Sequence, residues 1–452
     1  MIALFKEGLL PYLVWSIVMG TFFYGLFKKP QAALLLMAFL VSLPSIWYPA
    51  QALPLGQKTM DMLVISSLLG LSIQKIGFER APKHKLLIWI FVITYIATWN
   101  TSLRYGLSMP LTLDNPVLAD WKNYVLMMCL YFAAFNVMKT EDDIKKLIVV
   151  MMGALLLIIV QNYRSVMSGE QYSQTTRAAG PFEVVGLNCN HFGAFLAHYC
   201  TAALGLFLMD KESKLRRIMY FMIFAGGVYP IFYTYSRGAY LATFVALFVI
   251  GVVRFRPILL LVFILAMTWQ TLLPESVVAR IQMTENSSGQ LEESAALRLV
   301  VWDLAKSLFS DNPIFGIGFN GFIFASHGMR LHNTHNFYLQ TAAEQGIVGI
   351  VILSALVLRG GWSAWKLFRS DASGFARGTG LAFLSATIAV MVTNIFGDRF
   401  SQLALGGYFF LFMGAVDRLT LLNDQRKPAP SKPVRAVHLP RAPRSTAIGD
   451  AR

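Results

Sequence analysis

Four side chains in this sequence carry chemistry out of keeping with their surroundings: His335, Arg177, Arg237 and Arg298. His335 lies in the run Leu331-His332-Asn333-Thr334-His335-Asn336-Phe337-Tyr338-Leu339, at the end of a polar stretch over 274–339 in a chain that is otherwise mostly apolar. A neutral imidazole accepts a proton near neutral pH, so His335 is a candidate general base. Arginine stays charged and grips phosphate through paired N–H donors. Arg177 (in Thr176-Arg177-Ala178-Ala179-Gly180), Arg237 (in Tyr235-Ser236-Arg237-Gly238) and Arg298 would together suit a diphosphate. Each has a plainer reading too, as a capping or packing histidine, or as an arginine reaching for headgroup phosphates. His327, His332 and His335 match no metal-ligand spacing and have no carboxylate close by in sequence, so neither a metal nor any other cofactor is expected.

The elements that must position these groups are membrane helices. Of 452 residues, 56% are hydrophobic and 14% charged, and the apolar residues fall in runs of about 18–22, the length of a bilayer-spanning helix. The spans expected are 9–27, 31–49, 60–77, 86–103, 118–138, 147–163, 185–209, 218–235, 239–253, 257–273, 340–360, 378–396 and 402–417, about 12–13 in all. The fold class is thus an all-α polytopic membrane protein. Its parts are N-terminal helices over 1–273, a large, partly helical outer loop over 274–339, C-terminal helices over 340–420, and a basic, proline-rich tail over 421–452 expected to be disordered. The first apolar run reads as an anchor, without a cleavage site. Cys129, Cys189 and Cys200 lie in apolar segments and read as packing residues.

Lys and Arg concentrate in alternate loops: Lys75 to Lys85, Lys139 to Lys146, Lys211 to Arg217, Arg254 to Arg256 and Lys366 to Arg377. By the positive-inside bias these face the cytoplasm, as does the tail, and 274–339 faces outside. The net charge of +15 is then topology plus tail, with anionic lipid as its partner and nucleic acid not implied. The same bias makes Arg177, Arg237 and Arg298 exceptions, because all three fall on the outer side.

Within the outer loop, Leu297, Val301, Leu304 and Leu308 form one stripe of an amphipathic helix over 295–310, able to lie along the membrane surface. Arg298 and Trp302 share another face. The helix is expected to stop at Asp311-Asn312-Pro313, before a tight turn built on Gly316, Gly318 and Gly321. Thr334 or Asn333 is the natural N-cap of the next helix, which would put His335 at a helix N-terminus that favours an anion. Glu344 would lie deeper in that helix, in a structural role. Asp398 and Arg399 read as an ordinary interfacial pair. Gly186–Gly193, with Asn188, Asn190 and His191, is a polar helix start that either lines a cavity or is simply solvated.

The ordered set Arg298–Trp302, Pro313-Ile314-Phe315-Gly316-Ile317-Gly318, His335-Asn336, Tyr338-Leu339 and Glu344-Gln345-Gly346, preceded by Ser236-Arg237-Gly238, Arg177, Gly180 and Asn190, resembles the O-antigen ligase and O-antigen polymerase superfamily. The resemblance covers about 175–350. It implies a glycosyltransferase of the GT-C type in the bacterial inner membrane, multi-pass, with a periplasmic active face. The donor would be a glycan on undecaprenyl diphosphate. The acceptor would be a hydroxyl on lipid A-core for a ligase, or on another lipid-linked glycan for a polymerase, with ligase preferred. In that reading His335 deprotonates the attacking hydroxyl with inversion at the anomeric carbon. Arg237, Arg298 and Arg177 bind the diphosphate in place of a metal, Asn336 orients the imidazole or a sugar hydroxyl, and Trp302 stacks on a sugar or anchors the loop helix.

A flippase for lipid-linked glycans is the rival from another class. It would predict deep charges in several spans and an internal repeat; Glu344 is nearly alone as a deep charge and no repeat is evident. A peptidoglycan-type polymerase would use Asp303 or Asp311 as its base. A scaffold leaves the outer arginines without a reason.

Overall fold

Most of the expected apolar runs fall on one helix each in the computed structural model, which describes residues 8–167, 173, 176–282, 293–329 and 333–426, but 31–49 is broken at 41–43 into two. In chain order the helices are α1 (Leu10–Phe27), α2 (Pro30–Leu40), α3 (Pro44–Trp47), α4 (Thr59–Ile73), α5 (His84–Arg104), α6 (Pro116–Val137), α7 (Glu141–Met167) and α8 (Cys189–Met209). There follow α9 (Lys214–Tyr233), α10 (Arg237–Val253), α11 (Pro257–Leu272), α12 (Glu275–Gln282), α13 (Glu293–Asp311), α14 (Phe322–Ala325), α15 (Phe337–Phe368), α16 (Gly374–Thr393) and α17 (Leu403–Arg426). Among the described residues there is no strand. His332, residues 283–292 with most of the polar stretch expected at 284–294, and the tail beyond 426 lie outside the described residues.

The chain is therefore all-α, with several helices long and apolar enough to cross a membrane. Six meet that standard on length and composition, or up to eight if the two pairs bent by 105° each count as one span. The expectation of about 12–13 spans is larger, because several of the expected runs are short or polar as helices. Thr59–Ile73 has 15 residues and Arg237–Val253 has 17, while Pro116–Val137 carries Asp120, Lys122 and Asn123 near its start.

Burial separates the centre of the bundle from its rim. Cys189–Met209 is 89% enclosed and Leu403–Arg426 83%, against 22% for Leu10–Phe27, so α8 and α17 form the interior and α1 faces outward. Small residues make this possible. A Cβ at Gly205 would lie 2.9 Å from the Ala382 nitrogen, so α8 and α16 touch backbone to backbone, the close packing that helix pairs use in lipid.

The basic loops meet at one end of the bundle. Glu79 bonds Lys139 at 2.8 Å and Arg418 at 2.5 Å, Lys145 reaches Glu212 at 3.1 Å, and Arg426 reaches Glu141 at 3.1 Å. The Arg418 and Lys139 partners hold the Glu79 carboxyl down to about 2. Lys366 pairs with Asp424 at 3.0 Å, and α17 runs to Arg426, so residues 421–426 of the tail expected to be disordered are helical.

Candidate active site

The opposite end of the bundle gathers the residues singled out from sequence. Helix α15 is interrupted within Glu344-Gln345-Gly346, where Gly346 has φ +62°. A break inside an apolar helix leaves backbone groups that lipid cannot satisfy. Here the segment Pro313–Gly318 fills the gap. Ile317 N–H donates to the Ala343 carbonyl and Gly318 N–H to that of Glu344, both at 2.9 Å, while Ile347 N–H donates to Pro313 O at 2.8 Å. Gly316, at φ +67°, lies so close to the Glu344–Gln345 peptide that a Cβ would collide with it. The glycine turn and the Glu-Gln-Gly run are thus two halves of one backbone joint.

Glu344 completes that joint. Its carboxylate accepts from the Asn320 and Phe322 N–H groups and from Gln340 Nε2, each at 3.2 Å. It is 5% exposed, and its role is to hold the loop's return.

Helix α13 packs on this joint. Val301 and Ala305 are buried with Phe322 and Ala343, and Trp302, Leu304 and Leu308 pack around them. The apolar stripe meant for the membrane surface therefore faces the start of α15. Trp302 Nε1–H donates to the Thr334 carbonyl at 2.8 Å.

His335 has a left-handed backbone, φ +51°, a region that costs a non-glycine residue energy and clusters at functional sites. Its N–H donates to Asn333 Oδ1 at 2.6 Å, and Asn336 N–H donates to Thr334 Oγ1 at 3.1 Å. The N-cap is neither Thr334 nor Asn333, as expected, but Asn336, whose Oδ1 accepts from the N–H groups of Tyr338 and Leu339 at 3.0 and 3.1 Å. The reason is the position of the left-handed residue, which delays helical geometry until Phe337. Capping occupies the Asn336 amide oxygen and leaves its NH2 group for another partner.

The His335 ring is half-buried and makes no hydrogen bond among the described residues. It faces a cavity of about 520 Å³ also lined by Asp120, Asn320, Asn333, Glu344, Asp398 and Gln402. Asn320 Nδ2 donates to the Asp120 carboxylate at 2.6 Å. The cavity wall is amide and carboxylate, with Tyr124 and Phe319 as apolar faces. No arginine is among its described lining residues.

Two arginines bear on His335 by their charge. Burial first, then the charges of Arg298 and Arg399, bring the His335 imidazole from 6.5 down to about 4. It is neutral at pH 7. Arg298 is half-buried on α13. Arg237 is the first residue of α10, after Tyr235 at φ +48° and the N-cap Ser236. Arg177 is committed to that same turn: Nε donates to Thr234 O at 2.8 Å, and Nη2 to Tyr235 O at 2.9 Å and Asn190 Oδ1 at 2.8 Å. It holds the peptide ahead of Arg237 against the start of α8, whose polar segment is capped by Asn188 and His191.

Arg399 was missed. The expected Asp398–Arg399 pair does not form: the Asp398 carboxylate takes Ser401 Oγ at 2.5 Å and Ser401 N–H at 3.1 Å instead. Arg399 is 5% exposed, its Nε has no partner, and burial holds its pKa down to about 10, so it keeps its charge. The signal was available, since Arg399 is a fourth arginine in an outer turn, but its acidic neighbour in sequence masked it. Asp120 and Asn320 were missed because nothing in sequence joins α6 to the glycine turn. Among the described residues no group of three or more His, Cys, Asp or Glu is placed to hold a metal.

Residues 219–354 match the family model for O-antigen ligase. The matched segment contains Arg237, Arg298, Trp302, His335 and Asn336 and leaves Arg177 outside. No curated protein matches the chain. With its helices and this segment together, the chain is a multi-pass membrane protein in which residues 219–354 are similar to the O-antigen ligase family.

Proposed function

We propose that the protein is a glycosyltransferase of the GT-C type that moves a glycan from undecaprenyl diphosphate to a sugar hydroxyl, acting as an O-antigen ligase on lipid A-core. The observation that carries this reading is the His335 ring, without a hydrogen bond among the described residues, at an amide- and carboxylate-lined cavity and within reach of the charges of Arg298 and Arg399. In this reading the cavity takes the acceptor sugar and the arginines take the diphosphate. The end of the bundle rich in ion pairs faces the cytoplasm, and His335 faces the periplasm, which agrees with the positive-inside bias.

The acceptor oxygen attacks the anomeric carbon from the cavity side while the bond from that carbon to the diphosphate oxygen breaks. The electron pair leaves on polyprenyl diphosphate, and the hydroxyl proton passes to a ring nitrogen of His335. Attack opposite the leaving group inverts the anomeric centre. An anion beside His335 offsets the cations that depress its basicity, so the base strengthens when the donor arrives. Arg298 and Arg237 stabilise charge on the leaving diphosphate. Arg177 acts on the turn that aims Arg237, Asn336 fixes the start of α15, and Trp302 anchors the loop helix.

The test is reconstitution in liposomes with glycan-loaded polyprenyl diphosphate and lipid A-core. Transfer to the core by wild type, lost in a folded His335→Ala protein, supports the ligase. Lengthening of glycan on the polyprenyl carrier would make it a polymerase. Lipid crossing the bilayer in both proteins with neither product formed would replace the enzyme with a flippase.

A further inference from the structure

We infer that Arg399 is a diphosphate-binding residue of this site, held ready in the turn 394–402 to take the leaving phosphate of the lipid-linked donor. The inference rests on the functional reading above and adds a residue to it from a part of the chain outside the segment that matches the family.

The turn is fastened to both chemistry-bearing helix starts. Phe337 N–H donates to the Asn394 carbonyl at 2.9 Å, which ties it to the peptide that follows His335-Asn336. A Cβ at Gly238 would lie 3.2 Å from Phe396 Cβ, so the start of α10, with Arg237, presses on the turn from the other side. The turn's own shape is set by Arg399 N–H donating to Asn394 Oδ1 at 2.9 Å. The guanidinium folds back over Gly397, where any side chain would strike it.

A buried guanidinium is normally satisfied by a carboxylate or by carbonyl oxygens. Among the described residues Arg399 bonds neither: it is 5% exposed and its Nε has no hydrogen-bond partner, while the adjacent carboxylate of Asp398 bonds Ser401 and acts on Arg399 only as a nearby charge. Arg399 is thus a second cation, with Arg298, whose charge reaches His335, and it keeps a buried donor open. Its planar donor fork fits phosphate oxygens bidentately.

Two arginines act on His335 by their charge, and the titratable groups around it come from several elements. Arg298 stands on α13, Arg399 on this turn and His191 on α8, with Asp120, Glu344 and Asp398 around the cavity. Removing Arg399 takes away one of the two cations that oppose protonation of His335. A residue with a merely structural role would leave that titration in place.

The experiment uses the full chain in nanodiscs, with undecaprenyl diphosphate and, separately, phosphatidylglycerol as probes, for wild type, Arg399→Gln and Arg399→Lys. Expected is about 10- to 100-fold weaker binding of the diphosphate by Arg399→Gln, the scale of a lost charged hydrogen bond. Arg399→Lys should recover part of the affinity, and phosphatidylglycerol binding should be equal in all three. The acid limb of glycan transfer should also move to higher pH in Arg399→Gln. Unchanged diphosphate affinity in Arg399→Gln overturns the proposal, as does an equal loss of phosphatidylglycerol, which would make this a headgroup site. If Arg399→Gln does not fold, Arg399→Lys decides: wild-type affinity with an unmoved acid limb overturns the proposal, and weakened affinity supports it. Wild type that binds the diphosphate but transfers no glycan sinks the glycosyltransferase reading alone. Normal transfer with undiminished donor affinity in the variants sinks only the role of Arg399.

Discussion

Trp302 Nε1–H and the Thr334 carbonyl oxygen, 2.8 Å apart, join the loop helix α13 to the peptide immediately before His335. That one bond couples the face bearing Arg298 to the left-handed turn bearing the candidate base. Trp302→Phe keeps most of the ring's packing and removes the donor. Expected is a stability loss of about 1 kcal/mol, the usual net worth of such a bond, and a fall in kcat with little change in donor KM. The check is steady-state transfer kinetics beside a melting curve. A rise in KM alone would instead make the indole a sugar contact.

The pH dependence follows from His335. Catalysis needs the neutral ring, and burial with Arg298 and Arg399 holds its pKa at about 4 in the free protein. Transfer as kcat/KM should therefore stay flat as pH falls from neutral through the usual histidine range near 6.5, and decline only on approach to about 4. With donor bound, the diphosphate offsets the two cations and the pKa rises. The acid limb of kcat should lie at higher pH than that of kcat/KM, because the first reports the complex and the second the free enzyme. Coincident limbs would show that the diphosphate does not sit beside His335.

The backbone joint makes a separate prediction. Gly346 has φ +62°, and a Cβ there would collide with the Ile314 carbonyl. Gly361 lies in the same helix with open space around it. Gly346→Ala should fold poorly, since strain of this kind costs roughly 1–3 kcal/mol before the clash is counted. Gly361→Ala should be neutral or stabilising by about 0.5–1 kcal/mol. Comparing folded yield and melting temperature of the two proteins tests whether the Glu-Gln-Gly run serves architecture.

Much of this was legible in sequence because bilayer physics leaves a plain trace. The apolar runs located most of the helices, and arginines on the disfavoured side pointed to Arg298, whose charge reaches His335. What escaped was long-range. The Glu344 contacts with Asn320 and Phe322, the Asp120–Asn320 bond and the seat of Arg399 each join segments far apart in the chain. Adjacency in sequence misled where it was trusted, since Asp398 turns to Ser401 and leaves the neighbouring Arg399 without a hydrogen bond from its Nε. The N-cap was misplaced for a related reason: a left-handed histidine has no compositional signature, and only the observed backbone shows the helix starting after Asn336.

At the far end of the bundle, Lys83 Nζ sits 2.6 Å from both carboxylate oxygens of Asp417, and Tyr131 Oη donates to the same carboxylate at 2.7 Å. Lys83 and Asp417 are each 2% exposed. Breaking such a pair leaves one charge buried without compensation, whereas replacing both partners with apolar groups removes the desolvation cost as well. Asp417→Leu alone should lower stability by about 3–5 kcal/mol, and Lys83→Met with Asp417→Leu should recover much of that loss. Because this clasp joins α17 to the start of α5, away from His335, the double variant should keep wild-type donor KM when assayed below its melting temperature. Thermal unfolding of the single and double variants checks the first claim, and transfer kinetics check the second. A double variant that is stable but inactive would mean that the ion pair acts on the distant site, through the long helix α17 that leads back to the Arg399 turn.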